Sequence, residues 1–136
     1  MSHAAIKDTS DSQHLKLDKN ERRDLADLVT KVFDAWDLAP NERAMLLGLS
    51  PSGHSTIRRY ASGQPIGQNR DLIWRIGNIL AIYEILHASD VDMPARADRW
   101  PTSPNRKLDG VRPIEIMYKP DGLAAIRAWL NASVSC

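Results

Sequence analysis

The stretch NRDLIWRIGNILAIYEILH, residues 69–87, decides the fold. Its apolar residues recur at steps of three and four, the spacing of one face of an α-helix, and these are Leu72, Ile76, Ile79, Tyr83 and Leu86. The stripe predicts a long helix from about Asn69 to His87 that forms the backbone of a helical core. The same heptad-like spacing is also typical of a helix that pairs with a second subunit, so both uses stay open.

Three shorter helices are predicted before the long helix. The first begins at Asp18 or Asn20, either of which can cap a helix, and Pro40 stops it near residues 37–39. Its apolar stripe contains Leu25, Leu28, Val29, Val32, Phe33 and Trp36. The second covers Asn41 to Leu47, with Asn41 as cap and Gly48 as its end. The third starts with Ser55 as cap and closes at Gly63.

The part after residue 88 predicts short helices around a polar loop. SDVDMPARADRW favours one helix, PTSPNRKLDGVRP is loop-like, and PIEIMYK and PDGLAAIRAWLN favour two short helices that each begin with proline. No run alternates with a period of two for long enough to predict a strand. We therefore expect an all-α protein: a flexible tail at 1–16, a helix-turn-helix domain with the long helix at 17–88, and a small helical domain at 89–136.

Composition excludes several classes of protein. The chain has 136 residues, 43% hydrophobic and 26% charged, with a net charge of +1, which is ordinary for a globular protein. No apolar stretch is long enough to span a bilayer, and the first thirty residues contain no apolar block of the kind a secretory signal needs. The single cysteine, Cys136, cannot form an internal disulfide. We expect a cytoplasmic protein with no membrane association.

Nothing in the sequence predicts catalysis, a metal or a cofactor. The four histidines, at positions 3, 14, 54 and 87, lack the paired spacing of a metal site. Phosphate-binding glycine loops and nucleophile motifs are also absent from the sequence. We therefore expect a binding protein rather than an enzyme.

The stretch NERAMLLGLSPSGHSTIRRYASG, residues 41–63, indicates a helix-turn-helix. Ile57 and Tyr60 are three apart and can form the buried face of its second helix. The opposite face then carries hydroxyl and guanidinium groups, which can bind phosphates and guanine edges. No acid occurs among the 28 residues from Arg43 to Arg70, so the local surface is basic. The predicted DNA-binding residues are Arg43, Ser55, Thr56, Arg58, Arg59 and Arg70.

An alternative for this stretch is a solvent-exposed face in an ordinary helical hairpin. The turn GLSPSGH is longer than the three or four residues typical of the motif. Both interpretations stay open for residues 41–63.

Two tryptophans stand out in the C-terminal part. Trp100 precedes the proline-rich loop and Trp129 lies in the last predicted helix. Either ring can bury against the long helix, or it can stay partly exposed and anchor an interface, where Trp and Arg concentrate binding energy.

The chain resembles the Xre/MbcA/ParS family of antitoxins from bacterial type II toxin–antitoxin modules. The resemblance covers about residues 25–133 and rests on ERAMLLGLS, STIRRYASG, IWRIGNILAIYEIL, RW, PN and LDGVRPIEIMYKPDGLAAIRAWL. Its C-terminal part follows the pattern of the family's toxin-binding domain at Trp100, Asn105, Gly110, Pro113, Gly122 and Leu130.

The resemblance implies two activities. The C-terminal domain of such antitoxins binds a toxin, typically a RES-domain enzyme that consumes NAD, and blocks access to its active site. The N-terminal domain of many members binds the module's own promoter as a dimer or larger complex and represses it. Carried over to this chain, the toxin contacts are the helix Leu123–Cys136 and the residues Trp100, Asn105, Arg106, Gly110, Arg112, Pro113, Trp129 and Cys136.

These expectations describe an antitoxin that forms a homodimer within a larger complex with its toxin and operator DNA. Two alternatives stay open. One is a stand-alone helix-turn-helix repressor whose C-terminal helices only dimerise. The other is a protein-binding helical module that no longer contacts DNA.

Overall fold

The fold consists of helices, as the sequence predicts. A computed structural model describes residues 16–135, and within them there are seven α-helices and no strand, so the all-α prediction is confirmed. The helices are α1 Lys19–Ala35, α2 Pro40–Leu46, α3 His54–Ala61, α4 Arg70–Ser89, α5 Pro94–Arg99, α6 Pro113–Met117 and α7 Pro120–Ser135. Short 3-10 helices lie at Trp100–Thr102 and Arg106–Leu108. Residues 1–15 of the predicted tail and Cys136 lie outside the described residues.

Local side-chain chemistry fixes the starts of the two longest helices. Asp18 Oδ1 accepts a hydrogen bond from the Glu21 backbone N–H at 2.7 Å, and Glu21 Oε1 accepts one from the Asp18 N–H at 2.9 Å. This reciprocal pair is a capping box at the start of α1. Asn69 Oδ1 caps α4 by accepting from the Leu72 N–H at 3.0 Å. The starts predicted at Asp18 and Asn69 are therefore confirmed.

Two other predicted caps are wrong. Asn41 lies inside α2, because Pro40 occupies the first helical position, where a missing N–H is tolerated, and Ala39 precedes it as the cap. Ser55 lies inside α3, which begins one residue earlier and is preceded by Gly53. The last helix is also longer than predicted, since α7 has 16 residues.

The centre of the core is α4. It packs against α1, α5 and α7, and four of its five stripe residues are buried while Tyr83 is half-buried. The stripe therefore lies in the chain's own core and is not available to a second subunit. The Leu28 prediction is wrong, because this side chain is 46% exposed on α1. One apolar cluster joins α1–α4 to α6 and α7, so the parts predicted as separate domains share their core.

A buried arginine joins the two parts of the chain. Arg75, on α4, donates hydrogen bonds to Asp71 Oδ2 at 2.8 Å, to the Leu46 carbonyl at 3.4 Å and to the Tyr118 carbonyl at 3.1 Å. Its side chain is only 9% exposed. A Cβ added to Gly48, whose φ is +75°, would lie 2.8 Å from Arg75 Nε. The glycine that ends α2 thus makes room for the guanidinium.

Within residues 16–135, no helix combines the length and the apolar character needed to cross a bilayer.

Candidate functional site

Helix α3 is anchored by one face and exposes the other. Ile57 and Tyr60 are buried, which confirms the predicted buried face, and α3 contacts both α1 and α2. Burial raises the pKa of the Tyr60 hydroxyl above its ordinary value. On the other side, Arg58 and Arg59 are exposed. This arrangement presents two cations to solvent on a helix with a fixed orientation.

The remaining polar residues of α3 differ in exposure. Ser55 is exposed and Thr56 is half-buried. Within residues 16–135, the guanidinium groups of Arg58 and Arg59 make no hydrogen bond or ion pair. Both groups therefore keep all their donors available for phosphate or base oxygens.

The two outer predicted contacts, Arg43 and Arg70, have different surroundings. Arg43 points inward: it donates to the Leu38 carbonyl at 3.0 Å and to Asp34 Oδ1 at 2.9 Å, and its side chain is 18% exposed. Its guanidinium also lies 5.9 Å from the centre of the Phe33 ring. These contacts tie α2 to α1. Arg70 is the first residue of α4 and is exposed.

A groove lies in the C-terminal part of the protein. Its walls are the end of α4, helix α5, the proline-rich loop and α7. Its volume is about 840 Å³. It is lined by Leu86, Ser89, Asp90, Arg96, Ala97, Trp100, Pro104, Asn105, Arg106, Lys107, Trp129, Leu130 and Ser133. Four residues predicted as toxin contacts therefore line one groove: Trp100, Asn105, Arg106 and Trp129.

The two tryptophans form the aromatic part of the groove. The Trp100 and Trp129 ring centres are 6.2 Å apart, with planes inclined at 38°. Both side chains are half-buried, so the open choice between core and surface resolves to an intermediate state in which each ring packs on the core and still faces the groove. Trp129 also borders a smaller hollow of about 370 Å³ beside Ile116 and Ile126. The Trp129 ring therefore borders both the groove and this smaller hollow.

The groove carries a net positive rim. Asp90 is neutralised by Arg96, whose Nε and Nη2 donate to the two carboxylate oxygens at 2.8 Å each. This hydrogen-bonded pair lowers the pKa of Asp90. Arg106 and Lys107 lie on the opposite rim, exposed and without a side-chain partner within residues 16–135. An acidic group entering the groove would meet these two free cations.

The loop that carries Arg106 is held in shape by its own backbone. The Asn105 N–H donates to the Val111 carbonyl at 3.1 Å, and the Gly110 N–H donates to the Asn105 carbonyl at 2.8 Å. Asp109 and Gly110 both have positive φ, +59° and +82°, which closes the turn. Asn105 thus anchors the loop, and Gly110 shapes it.

The other predicted toxin contacts lie away from the groove. Pro113 is buried as the first residue of α6. Arg112 donates to Glu115 Oε2 at 3.0 Å and to Glu42 Oε2 at 3.3 Å, so it links α6 to α2. Cys136 lies outside the described residues.

The wall of the groove formed by α4 and α5 was not predicted from the sequence. Ser89, Asp90 and Arg96 line it, yet their types match an ordinary helix end. The sequence gives one signal for this wall: the apolar stripe of α4 ends at Leu86, close to the start of the next predicted helix. No group of three metal-ligating side chains occurs within the part of the chain that the structure describes.

No protein-family model matches this chain, and no curated protein matches it either.

Proposed function

We propose that this protein is an antitoxin of the Xre/MbcA/ParS type, which acts in the cytoplasm by binding a toxin enzyme and its own promoter, without catalysis or a cofactor. The observation that carries the proposal is the convergence of Trp100, Asn105, Arg106 and Trp129 on one groove. They come from three different segments. Trp100 and Asn105 match positions of the family's sequence pattern, Arg106 was carried over from the resemblance, and Trp129 was selected as a large aromatic residue of the last helix.

The groove has the features of a protein-binding site. It combines half-buried aromatic rings with a rim of free cations, and aromatic and arginine side chains dominate the energetics of protein interfaces. The toxin segment that enters it would pack an apolar side chain against the exposed side of the Trp100–Trp129 pair and place an acidic group near Arg106.

Helix α3 supports the promoter-binding half of the proposal. Arg58 and Arg59 are exposed on a helix whose other face is buried, as a recognition helix in a major groove requires. Ser55 and Arg70 add an exposed hydroxyl and a further cation.

A second candidate is a protein-binding module that does not contact DNA. It is favoured by Arg43, whose guanidinium donates to Asp34 on α1 and to the Leu38 carbonyl after α1 rather than facing outward. The DNA-binding assay below separates the two candidates.

The toxin-binding half is tested by co-expression with the product of the neighbouring gene. We expect the two proteins to co-purify and the wild-type chain to restore growth. The double variant Trp100→Ala/Trp129→Ala should lose both effects, whereas Arg58→Ala/Arg59→Ala should keep them. A neighbour that is harmless when expressed alone would refute the antitoxin proposal.

The DNA-binding half is tested by a gel shift on the module's promoter at several salt concentrations. Arg58→Ala/Arg59→Ala should abolish the shift, because phosphate contacts release counterions and supply much of the affinity. Arg23→Ala is the control, since it removes an exposed arginine of α1 whose side chain donates to Asn20 Oδ1. An unchanged shift in the double variant would favour the module without DNA binding.

A further inference from the structure

The outer face of α4 carries an aromatic ring and a glycine that stay exposed in the part of the chain that the structure describes. Trp74 is 40% exposed, although a tryptophan of this size usually buries most of its ring. Gly77 is exposed one turn further along, and Ala81 is half-buried one turn beyond that. Spacings of three and four place these three residues on one side of the helix, opposite the buried stripe.

Nothing among the residues that the structure describes requires a glycine at position 77. Its backbone is helical with no positive φ, and a Cβ added there would meet no atom within 4 Å. Gly122 is the useful comparison, because a Cβ there would collide with the Ile116 carbonyl. A glycine inside an exposed helix destabilises it by about 1 kcal/mol relative to alanine. Gly77 thus lowers the stability of α4, and no contact within residues 16–135 compensates for it.

The same face has complementary charges at its two ends. Arg70 and Glu84 are both exposed, and neither makes an ion pair within residues 16–135. They lie seven positions on either side of Gly77. Two α4 helices can cross antiparallel with a twofold axis at Gly77. Arg70 of each copy then lies opposite Glu84 of the other copy, and the two Arg70–Glu84 pairs are about 21 Å apart along the helix.

We infer that α4 is the self-association surface of this protein, with a second copy of the chain as the occupant. Gly77 lets the two helices approach closely at the axis, and each Trp74 packs beside Gly77 and Ala81 of the other copy. The two Arg70–Glu84 pairs close the ends. The interface is isologous, as a twofold dimer requires.

This dimer does not use the apolar stripe of α4, which lies in the core. It also gives Arg70 a role other than the DNA contact predicted from the sequence. The inference does not rest on the proposed function, because self-association is measured without DNA or toxin. Failure of one leaves the other intact.

The test is sedimentation equilibrium on the full chain at several concentrations. We expect a concentration-dependent dimer, and we expect Gly77→Gln to raise its dissociation constant by at least about tenfold. Gly77→Gln also removes a helix-destabilising glycine, so thermal unfolding should show a fold that is at least as stable. Ala128→Gln, at an exposed site on α7, is the matched control and should dimerise like the wild type.

A charge exchange makes the test specific for the antiparallel register. Arg70→Glu and Glu84→Arg should each weaken the dimer, and the double exchange should restore it. A wild-type chain that stays monomeric, or a dimer that Gly77→Gln leaves unchanged, would overturn the inference. A monomer in which Trp74→Ala abolishes binding of the neighbouring gene's product would also overturn it and assign this face to that partner.

Discussion

Replacing Arg75 by methionine should destabilise the whole chain, because this residue joins helices from both ends of the sequence. Methionine fills much of the same space but donates no hydrogen bond. The Leu46 and Tyr118 carbonyls, which the guanidinium now reaches at 3.4 and 3.1 Å, would lose this charged donor. An unsatisfied buried polar group costs about 1–3 kcal/mol. We expect a loss of about 2–4 kcal/mol in the free energy of unfolding, towards the lower end because the bond to Leu46 is long.

The salt bridge to Asp71 contributes little of this loss. The Asp71 side chain is 60% exposed, and exposed ion pairs contribute about 0–1 kcal/mol. Asp71→Ala is therefore the matched control, since it removes the ion pair and leaves both carbonyl bonds in place. We expect it to lower the free energy of unfolding by less than about 1 kcal/mol.

The assay is urea unfolding followed by circular dichroism and by tryptophan fluorescence. Both signals should shift together, because one core spans the chain. Two results would refute this reasoning: Arg75→Met unfolds at the same urea concentration as the wild type, or Asp71→Ala lowers the free energy of unfolding more than Arg75→Met does. Either would mean that the hydrogen bonds to the two carbonyls are not the source of the stability that Arg75 provides.

Three further predictions concern single side chains. Gly122→Ala should destabilise the fold by about 3 kcal/mol or more, because its Cβ would overlap the Ile116 carbonyl; thermal unfolding measures this. Trp36→Phe should lower the free energy of unfolding by no more than about 1 kcal/mol, since it also removes a buried indole N–H that has no acceptor within residues 16–135; urea unfolding checks it. Tyr60 has a folded-state pKa raised by burial, so its contribution to stability is complete below its unfolded pKa and is lost as the pH rises through the folded value. Tyr60→Phe should therefore unfold less readily than the wild type when the pH is raised above about 10, a difference that should vanish near neutral pH.

The helices that depend on local chemistry were predictable from the sequence. Asp18 and Asn69 cap their helices through side chains within three residues, and the stripe of α4 is a periodic signal over twenty residues. The caps of α2 and α3 were misplaced by two residues each, because the observed caps, Ala39 and Gly53, offer no side-chain oxygen to recognise in the sequence.

The tertiary roles of charged residues were not predictable. Arg43 and Arg75 are ordinary helical arginines in the sequence, and only the packing of distant carbonyls and carboxylates around them shows what they bind. The groove was predicted only in part for the same reason. Its tryptophans, Asn105 and Arg106 were predicted from the sequence, but its α4–α5 wall forms only because two helices meet in the folded chain.

The bond from Arg75 to the Tyr118 carbonyl has a practical consequence for anyone dissecting this protein. A fragment that ends after α4 would lack the Tyr118 carbonyl that accepts from Arg75. It would also expose the side of α4 that packs against α7. Deleting the chain from Leu123 onward would likewise remove part of the shared core along with one wall of the groove. Truncated proteins would therefore report on folding as much as on recognition, and single surface replacements are the cleaner way to assign each activity to its residues.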